Sequence, residues 1–235
     1  MAPATMITTI PLFTLKSLNV VGAVQKMARK RTTKKLNTTK KLKCEDVCRL
    51  VFGLCKAATN LKHMSGSFTP KTLQKALGKV RGEHLFDIGA HVGLVVLLAL
   101  ASFGFKAASG CEYKENNFLN YYFQLCKKKL EEKCGRTLNA MIKFKAFAKV
   151  RIPPEADVVF TFNAVFDPED QHLIMQEVKN AEHVKYFICT KSRVFERSSQ
   201  VVAAMDNTFE LVATVDGRMS GSGQQHQIFV LRRTM

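Results

Sequence analysis

Two hydrophobic periods alternate along most of this chain. Short apolar runs at 84–88 (HLFDI), 107–112, 141–144, 158–162 and 186–190 are bounded by glycine, proline or charged residues and have the length of strands. Between them, apolar residues recur every three or four positions and predict helices over 92–103, 116–133 and 169–181. In the second of these, Leu119, Tyr122, Cys126 and Leu130 fall on one face. Ahead of the first strand, Val47, Leu50, Val51, Leu54 and Ala58 predict a helix within 44–61. The stretch SGSFTPKTLQKAL then offers Thr69 as an N-cap and Pro70 at the first helical position, which predicts a helix over 70–77.

Strands and helices alternating at these lengths build a mostly parallel sheet with right-handed crossovers. The last two β-rich runs, 209–215 and 228–232, break the alternation, because DGRMSGSGQQHQ between them reads as a glycine-rich hairpin loop and not as a crossover helix. The expected fold is therefore α/β: a Rossmann-like sheet of seven strands, mostly parallel, with a terminal antiparallel hairpin.

Composition narrows the setting. A chain of 235 residues with 46% hydrophobic content is long enough for one sizeable α/β core. The formal charge of +17 is concentrated: residues 1–62 hold 13 Lys and Arg against 2 Asp and Glu. Such a charge attracts polyanions by counterion release and favours a nucleic-acid or chromatin partner over an acidic small molecule. Residues 1–43 contain no acidic residue and carry the cluster Lys26, Arg29, Lys30, Arg31, Lys34, Lys35. That segment reads as a nuclear-import signal or a nucleic-acid-binding arm, with a mitochondrial presequence as the alternative.

Seven cysteines with no CxxC pair do not form a secreted disulfide framework. Cys44, Cys48 and Cys55 share a helix face, and with His63 nearby their spacing matches no standard zinc knuckle, so no metal is expected. The longest apolar run, 92–105, falls short of the roughly 20 residues a membrane span needs, so no membrane partner is expected. His84, Cys111, Cys189 and the run Lys127, Lys128, Lys129 read as structural or solvated positions.

The chemistry is expected where the first strand meets its helix. Open α/β sheets bind ligands beyond the carboxyl ends of their strands, where a glycine turn lets backbone amides approach. Asp87, Ile88, Gly89 and Gly93 occupy that turn, and His91 stands where a familiar nucleotide loop has its middle glycine. Histidine tolerates unusual backbone angles better than most residues, so the loop is legible as GxxxG. Glu112 ends the next strand, about twenty residues on, where an acid accepts hydrogen bonds from both hydroxyls of a ribose. Turn and acid together point to an adenosine-type cofactor. The antiparallel terminal hairpin separates the chain from nicotinamide-binding sheets and resembles the class I S-adenosylmethionine-dependent methyltransferases.

Within that class, ADVVFTFNAVFDPEDQHL at 156–173 resembles the fourth-strand motif of the disruptor-of-telomeric-silencing family, histone H3 lysine methyltransferases without a SET domain. The matching positions are Val158, Val159, Phe160, Asn163, Phe166, Pro168, Glu169 and His172. SGCEYKENN and SGSFTP look like the same family, and the resemblance covers residues 65–233. It implies S-adenosyl-L-methionine as cofactor, with its methionine end against Asp87, Gly89 and the Gly66 loop. The ribose would lie on Glu112 beside Tyr113, and the adenine near Phe147. Asn163 would sit where methyl group and acceptor meet, and Phe162, Phe166 and Tyr113 would wall a lysine channel. The family's loop Tyr-Gly-Glu is here Ser65, Gly66, Ser67, the first of its paired asparagines is Phe162, the acid before its adenine-stacking Phe is Ala146, and no Trp is present.

The organisation so implied is a basic arm over 1–43, a helical lead-in with a cofactor loop over 44–80, and a methyltransferase domain over 81–235, acting as a monomer. The expected acceptor is a lysine of a histone, nucleosome or other basic protein. Two alternatives stand beside it: an RNA or DNA methyltransferase, and a catalytically inactive methyltransferase fold that binds chromatin or RNA. Methylation of a base amino group is disfavoured because Asn163 is followed by Ala164 and Val165 in place of an Asn-Pro-Pro-aromatic motif.

Overall fold

The computed structural model describes residues 40–56, 67–113, 117–145, 147, 151–220 and 222–234. Residues 1–39 of the basic arm, His63 and Gly66 lie outside them. Two helices come first, α1 at Cys44–Lys56 and α2 at Pro70–Leu77. There follow β1 at His84–Ile88, α3 at Leu94–Leu98, β2 at Ala107–Glu112, α4 at Asn117–Cys134 and β3 at Ala140–Phe144. Then come β4 at Val158–Thr161, α5 at Pro168–Asn180, β5 at Tyr186–Thr190, α6 at Ser198–Ala204, β6 at Phe209–Arg218 and β7 at Gln225–Arg233.

These strands form one seven-stranded sheet in the order β3-β2-β1-β4-β5-β7-β6. Strands β1 to β5 run parallel, and β7 pairs antiparallel with both β5 and β6. The expected fold class is what the chain adopts. Because β1 has β2 on one side and β4 on the other, the chain reverses direction across the sheet at this pair, and a crevice must open above their carboxyl ends.

Both faces of the sheet are covered, and the strand period of two sorts residues between them. Leu85, Val158, Phe160, Ile188, Ile228 and Val230 pack into one core with α1 to α4. Phe86, Ile88, Val159, Phe187, Phe229 and Leu231 pack into the other with α5 and α6. The lead-in helices are part of the first core, since Cys44, Val47, Cys48, Val51, Leu73 and Leu77 are all buried in it.

Three elements depart from the sequence expectation. The helix expected over 92–103 begins at Leu94 and widens into a π-helix at Ala99–Phe103, ended by Gly104 at φ 80°. From Leu94 to Ala101 this stretch is apolar all round and buried. Two carbonyls of the wide turn are taken from outside the helix, Leu100 O by Arg136 Nη2 at 2.7 Å and Ala101 O by Leu42 N–H at 2.9 Å. The hairpin strands run on to Arg218 and start at Gln225, so half of the expected loop is strand: Asp216, Arg218 and Gln225 are exposed there while the backbone still pairs. Finally, α6 and a 3-10 turn at Asn163–Val165 have no counterpart in the hydrophobic pattern.

The amino ends of the central strands are fixed by Asp157. This residue is buried, and its carboxylate accepts the backbone N–H of Glu83 at 3.0 Å and of His84 at 3.0 Å, with Lys185 Nζ 3.4 Å away. Replacing Asp157 with Ala leaves two N–H groups without acceptors, and should lower unfolding stability by about 2–4 kcal/mol. Urea denaturation of the two proteins, compared at equal m-value, measures it.

Candidate functional site

Strand β1 leaves the sheet through a turn few sequences can make. Gly89, His91 and Gly93 all lie in the left-handed region, at φ 82°, 49° and 74°. The turn is tied to the end of β2. The N–H groups of Gly89 and Ala90 both donate to the Cys111 carbonyl at 2.9 Å, and His91 N–H donates to Glu112 Oε2 at 2.7 Å. Tyr113 N–H donates to Glu112 Oε1 at 2.9 Å. Each carboxylate oxygen of Glu112 so accepts one backbone N–H and keeps a second acceptor position, which is what two vicinal hydroxyls require.

Close packing explains both glycines. A Cβ on Gly89 would stand 2.8 Å from Cζ of Phe166, and one on Gly93 would strike Ile142 and Phe123 at 2.7 Å. Phe166, from the segment after β4, therefore lies directly over the turn after β1. Burial holds the His91 imidazole below its ordinary pKa, with Glu112 pulling the other way.

Asp87 lies beside this turn and is 3% exposed. It is the counterpart of Asp157 with the opposite environment. No hydrogen bond to its carboxylate is present among the described residues, and burial, reinforced by the neighbouring charge of Glu112, holds its pKa well above the usual carboxylate range. A buried carboxyl with no donor costs the fold stability, and such groups concentrate at ligand sites.

Asn163 follows β4 and is fully buried. Its Oδ1 accepts two hydrogen bonds from one residue of β5, from Thr190 N–H at 2.7 Å and Thr190 Oγ1 at 2.8 Å. Its Nδ2 has no partner among the described residues. The loop that carries it is anchored in turn. Gln171 Nε2 donates to the Phe166 carbonyl at 2.7 Å, Ser192 Oγ donates to Gln171 Oε1 at 2.6 Å, and Phe195 N–H donates to Ser192 Oγ at 3.0 Å.

The expected site residues separate into groups. Asp87, Gly89, Gly93, Glu112, Asn163 and Phe166 come together at the carboxyl ends of β1, β2 and β4. Phe147 is half-buried at the edge of the second core, against the cluster that holds Ile88 and Cys111. Two expectations are corrected. Ile88 turns its side chain into that core, 1% exposed, so only its backbone belongs to the turn. Tyr113 is 63% exposed, so its ring is no buried part of the expected wall; the turn to solvent begins one residue after β2. Phe162 instead packs edge-on to Phe68 at 5.2 Å and to His226 at 5.5 Å, in an aromatic cluster drawn from three parts of the chain. Thr190, Phe68 and His226 were not legible as site neighbours, since sheet pairing alone brings them there. A groove of about 890 Å³ opens elsewhere, between Phe86, Ser109, Met141, Lys143 and Arg151, and none of Asp87, Glu112 and Asn163 lines it.

No protein-family model and no curated protein matches the chain. Solved structures do. Sp1610 of Streptococcus pneumoniae, a candidate tRNA (m1A22) methyltransferase, aligns at 16% identity and TM-score 0.51 over 70% of each chain. A protein of the NADB-Rossmann superfamily from Streptococcus agalactiae aligns at 16% identity and TM-score 0.51, covering 73% of this chain and 71% of its own. TrmN from Thermus thermophilus aligns at 14% identity and TM-score 0.50, over 70% of this chain and 48% of its own. The fold is that of the Rossmann-like methyltransferases.

The strain at Asp87 has a measurable sign. A carboxyl whose folded pKa is raised binds more protons folded than unfolded. Stability should thus fall as pH rises above the ordinary value of about 3.9, and level off once the folded group has ionised. Asp87→Asn should abolish this slope and raise the melting temperature at pH 7 by about 2–4 °C. Calorimetric melting of both proteins across pH checks it.

Proposed function

We propose that this chain is an S-adenosylmethionine-dependent methyltransferase that acts on RNA. One observation carries the reading: in a methyltransferase fold, three polar groups with unspent hydrogen-bonding capacity among the described residues stand together at the carboxyl ends of β1, β2 and β4. They are the Asp87 carboxylate, the second acceptor positions of Glu112, and Asn163 Nδ2. These groups fit the proposed cofactor, which has a ribose diol for Glu112 and positive charge for a buried acid. Bound there, it would supply a methyl group on a positively charged sulfur.

The chain's own residues do the rest by position. Glu112 is held by two backbone N–H groups and so presents its remaining lone pairs in one orientation. Asp87 stands in a dry setting where a cationic ligand favours its ionised form. Phe166 closes over Gly89 and keeps water from the turn. Displacement at a methyl carbon needs no covalent intermediate on the protein, so orientation and desolvation are the available sources of rate.

An RNA acceptor is supported by the charge of +17, by its concentration in residues 1–62, and by the candidate tRNA methyltransferase among the structural neighbours. A protein lysine, of a histone or nucleosome, is the rival. Against it, an amine acceptor brings N–H groups that need acceptors, while the oxygen of Asn163 is already filled by Thr190. The basic cluster within 26–35 suits nuclear import, with a mitochondrial presequence as the second address.

Two measurements test this reading. Calorimetric titration with S-adenosylmethionine should show one saturable site, weakened about a hundredfold in Glu112→Ala by the loss of two charge-assisted hydrogen bonds. No binding to folded wild-type protein would favour an inactive fold. In filter binding, RNA affinity should fall steeply and linearly on a logarithmic salt scale. Removal of residues 1–39 should flatten that slope and weaken binding at least about tenfold.

A further inference from the structure

Asn163 can hydrogen-bond to a ligand in only one sense. The group 2.7 Å from its side-chain oxygen is the backbone N–H of Thr190, which can only donate, so the atom facing it is the oxygen and not the amide nitrogen. The hydroxyl of Thr190 is committed too. Its oxygen accepts Ala164 N–H at 3.1 Å, which turns its own proton onto Asn163 Oδ1 at 2.8 Å. Both lone pairs of Oδ1 are therefore filled, and the side chain has no acceptor left to offer. What remains is the Nδ2 amino group, carrying two N–H donors, fully buried and without an acceptor among the described residues. Because the carboxamide is planar, holding its oxygen on Thr190 also fixes the direction in which that amino group points.

We propose that Thr190 is a positioning residue that makes Asn163 a donor-only reader of the methyl acceptor. The substrate class that follows is a nucleobase with a carbonyl oxygen beside an unprotonated ring nitrogen. This rests on the reading of the chain as an RNA methyltransferase and gives that site its base preference. Guanine offers N7 beside O6, and cytosine offers N3 beside O2. Adenine puts its N6 amine beside both N1 and N7, which would set donor against donor.

The transfer balances without a base. The ring-nitrogen lone pair forms the N–C bond to the methyl group as the C–S bond breaks, its electron pair staying on sulfur. The positive charge passes from sulfur to the ring, and no proton has to leave before attack. A donor on the neighbouring carbonyl holds the base in plane and excludes the wrong edge, a discrimination that polar sites achieve more sharply than apolar ones.

The test uses the full chain with methyl-labelled S-adenosylmethionine and single-stranded RNA oligonucleotides differing only in one central A, C, G or U, with nucleoside digestion to locate the label. Label on the ring nitrogen of guanine or cytosine is expected, with adenine at least about tenfold poorer. Thr190→Val, which keeps shape and the backbone donor but loses the hydroxyl, should lower transfer to the preferred RNA about tenfold and narrow the gap to adenine, and Thr190→Ser should restore both. Calorimetry should find the cofactor affinity of all three proteins equal. Labelled adenine, or a Thr190→Val enzyme with unchanged base preference, overturns the inference while leaving the RNA reading intact. A Thr190→Val loss that appears in cofactor affinity overturns it as well, because Nδ2 would then serve the cofactor carboxylate. Label on a protein lysine and on no RNA overturns the RNA reading itself.

Discussion

Everything at the functional end of this molecule depends on the turn between Gly89 and Gly93. Three of its five residues take positive φ, and the space they vacate is filled at once by other elements: Phe166 over Gly89, Phe123 and Ile142 against Gly93. The backbone amides so exposed are spent on the end of β2, two on the Cys111 carbonyl and one on Glu112. A single local conformation thereby sets the height of Phe166, the orientation of Glu112 and the start of α3. Gly110 extends the same constraint, because a Cβ there would meet Ala90 at 2.7 Å and the Asp87 carbonyl at 2.8 Å. Side chains at these positions would push β1 and β2 apart before they changed any chemistry.

The buried polar groups divide along the strand direction. At the amino ends, Asp157 is matched by two backbone donors and stitches β1 to β4. His84 is matched there as well, through Ser109 at 3.0 Å. At the carboxyl ends, Asp87 and one half of Asn163 are unmatched. Burial is similar at both ends, so what separates these groups is hydrogen-bond satisfaction together with a place at the crevice; Ser102 Oγ, in the π-helix, is a buried orphan away from it. The fold carries the cost of the unmatched end because the matched end and two apolar cores hold the sheet together.

Much of this was legible in the sequence, for reasons that differ between elements. The strands at 84–88, 107–112 and 186–190 and the helix at 70–77 stand where hydrophobic pattern and capping chemistry put them, because all are core elements whose pattern is set by burial. The hairpin was read too short because β6 is an edge strand with an exposed face, where polar residues pair as well as apolar ones. The glycine turn and Glu112 were readable from spacing. The state of Asn163 was not, because its partner Thr190 is 27 residues away and is brought to it only by neighbouring strands. Gly66, part of the expected cofactor loop, lies outside the described residues.

The motif at 156–173 shows why the residues behind a family resemblance need not carry that family's acceptor. Its residues have structural employment in this chain. Phe166 covers the glycine turn, and Pro168 starts α5 with Glu169 and Asp170 in the first turn, where their charge suits the helix dipole. His172 Nδ1 donates to the Pro168 carbonyl at 2.7 Å, and its ring packs 5.5 Å from Phe195. Val158, Val159 and Phe160 fill the two cores. Any methyltransferase that must bring a loop back over its first turn can use these residues, whatever it modifies. Asn163 alone among them keeps a buried polar atom with no partner among the described residues, and the orientation of that group is set by Thr190 on another strand, outside the motif. On the proposed reading, acceptor choice in this chain is a property of strand pairing, and a motif confined to one strand and its loop does not contain it.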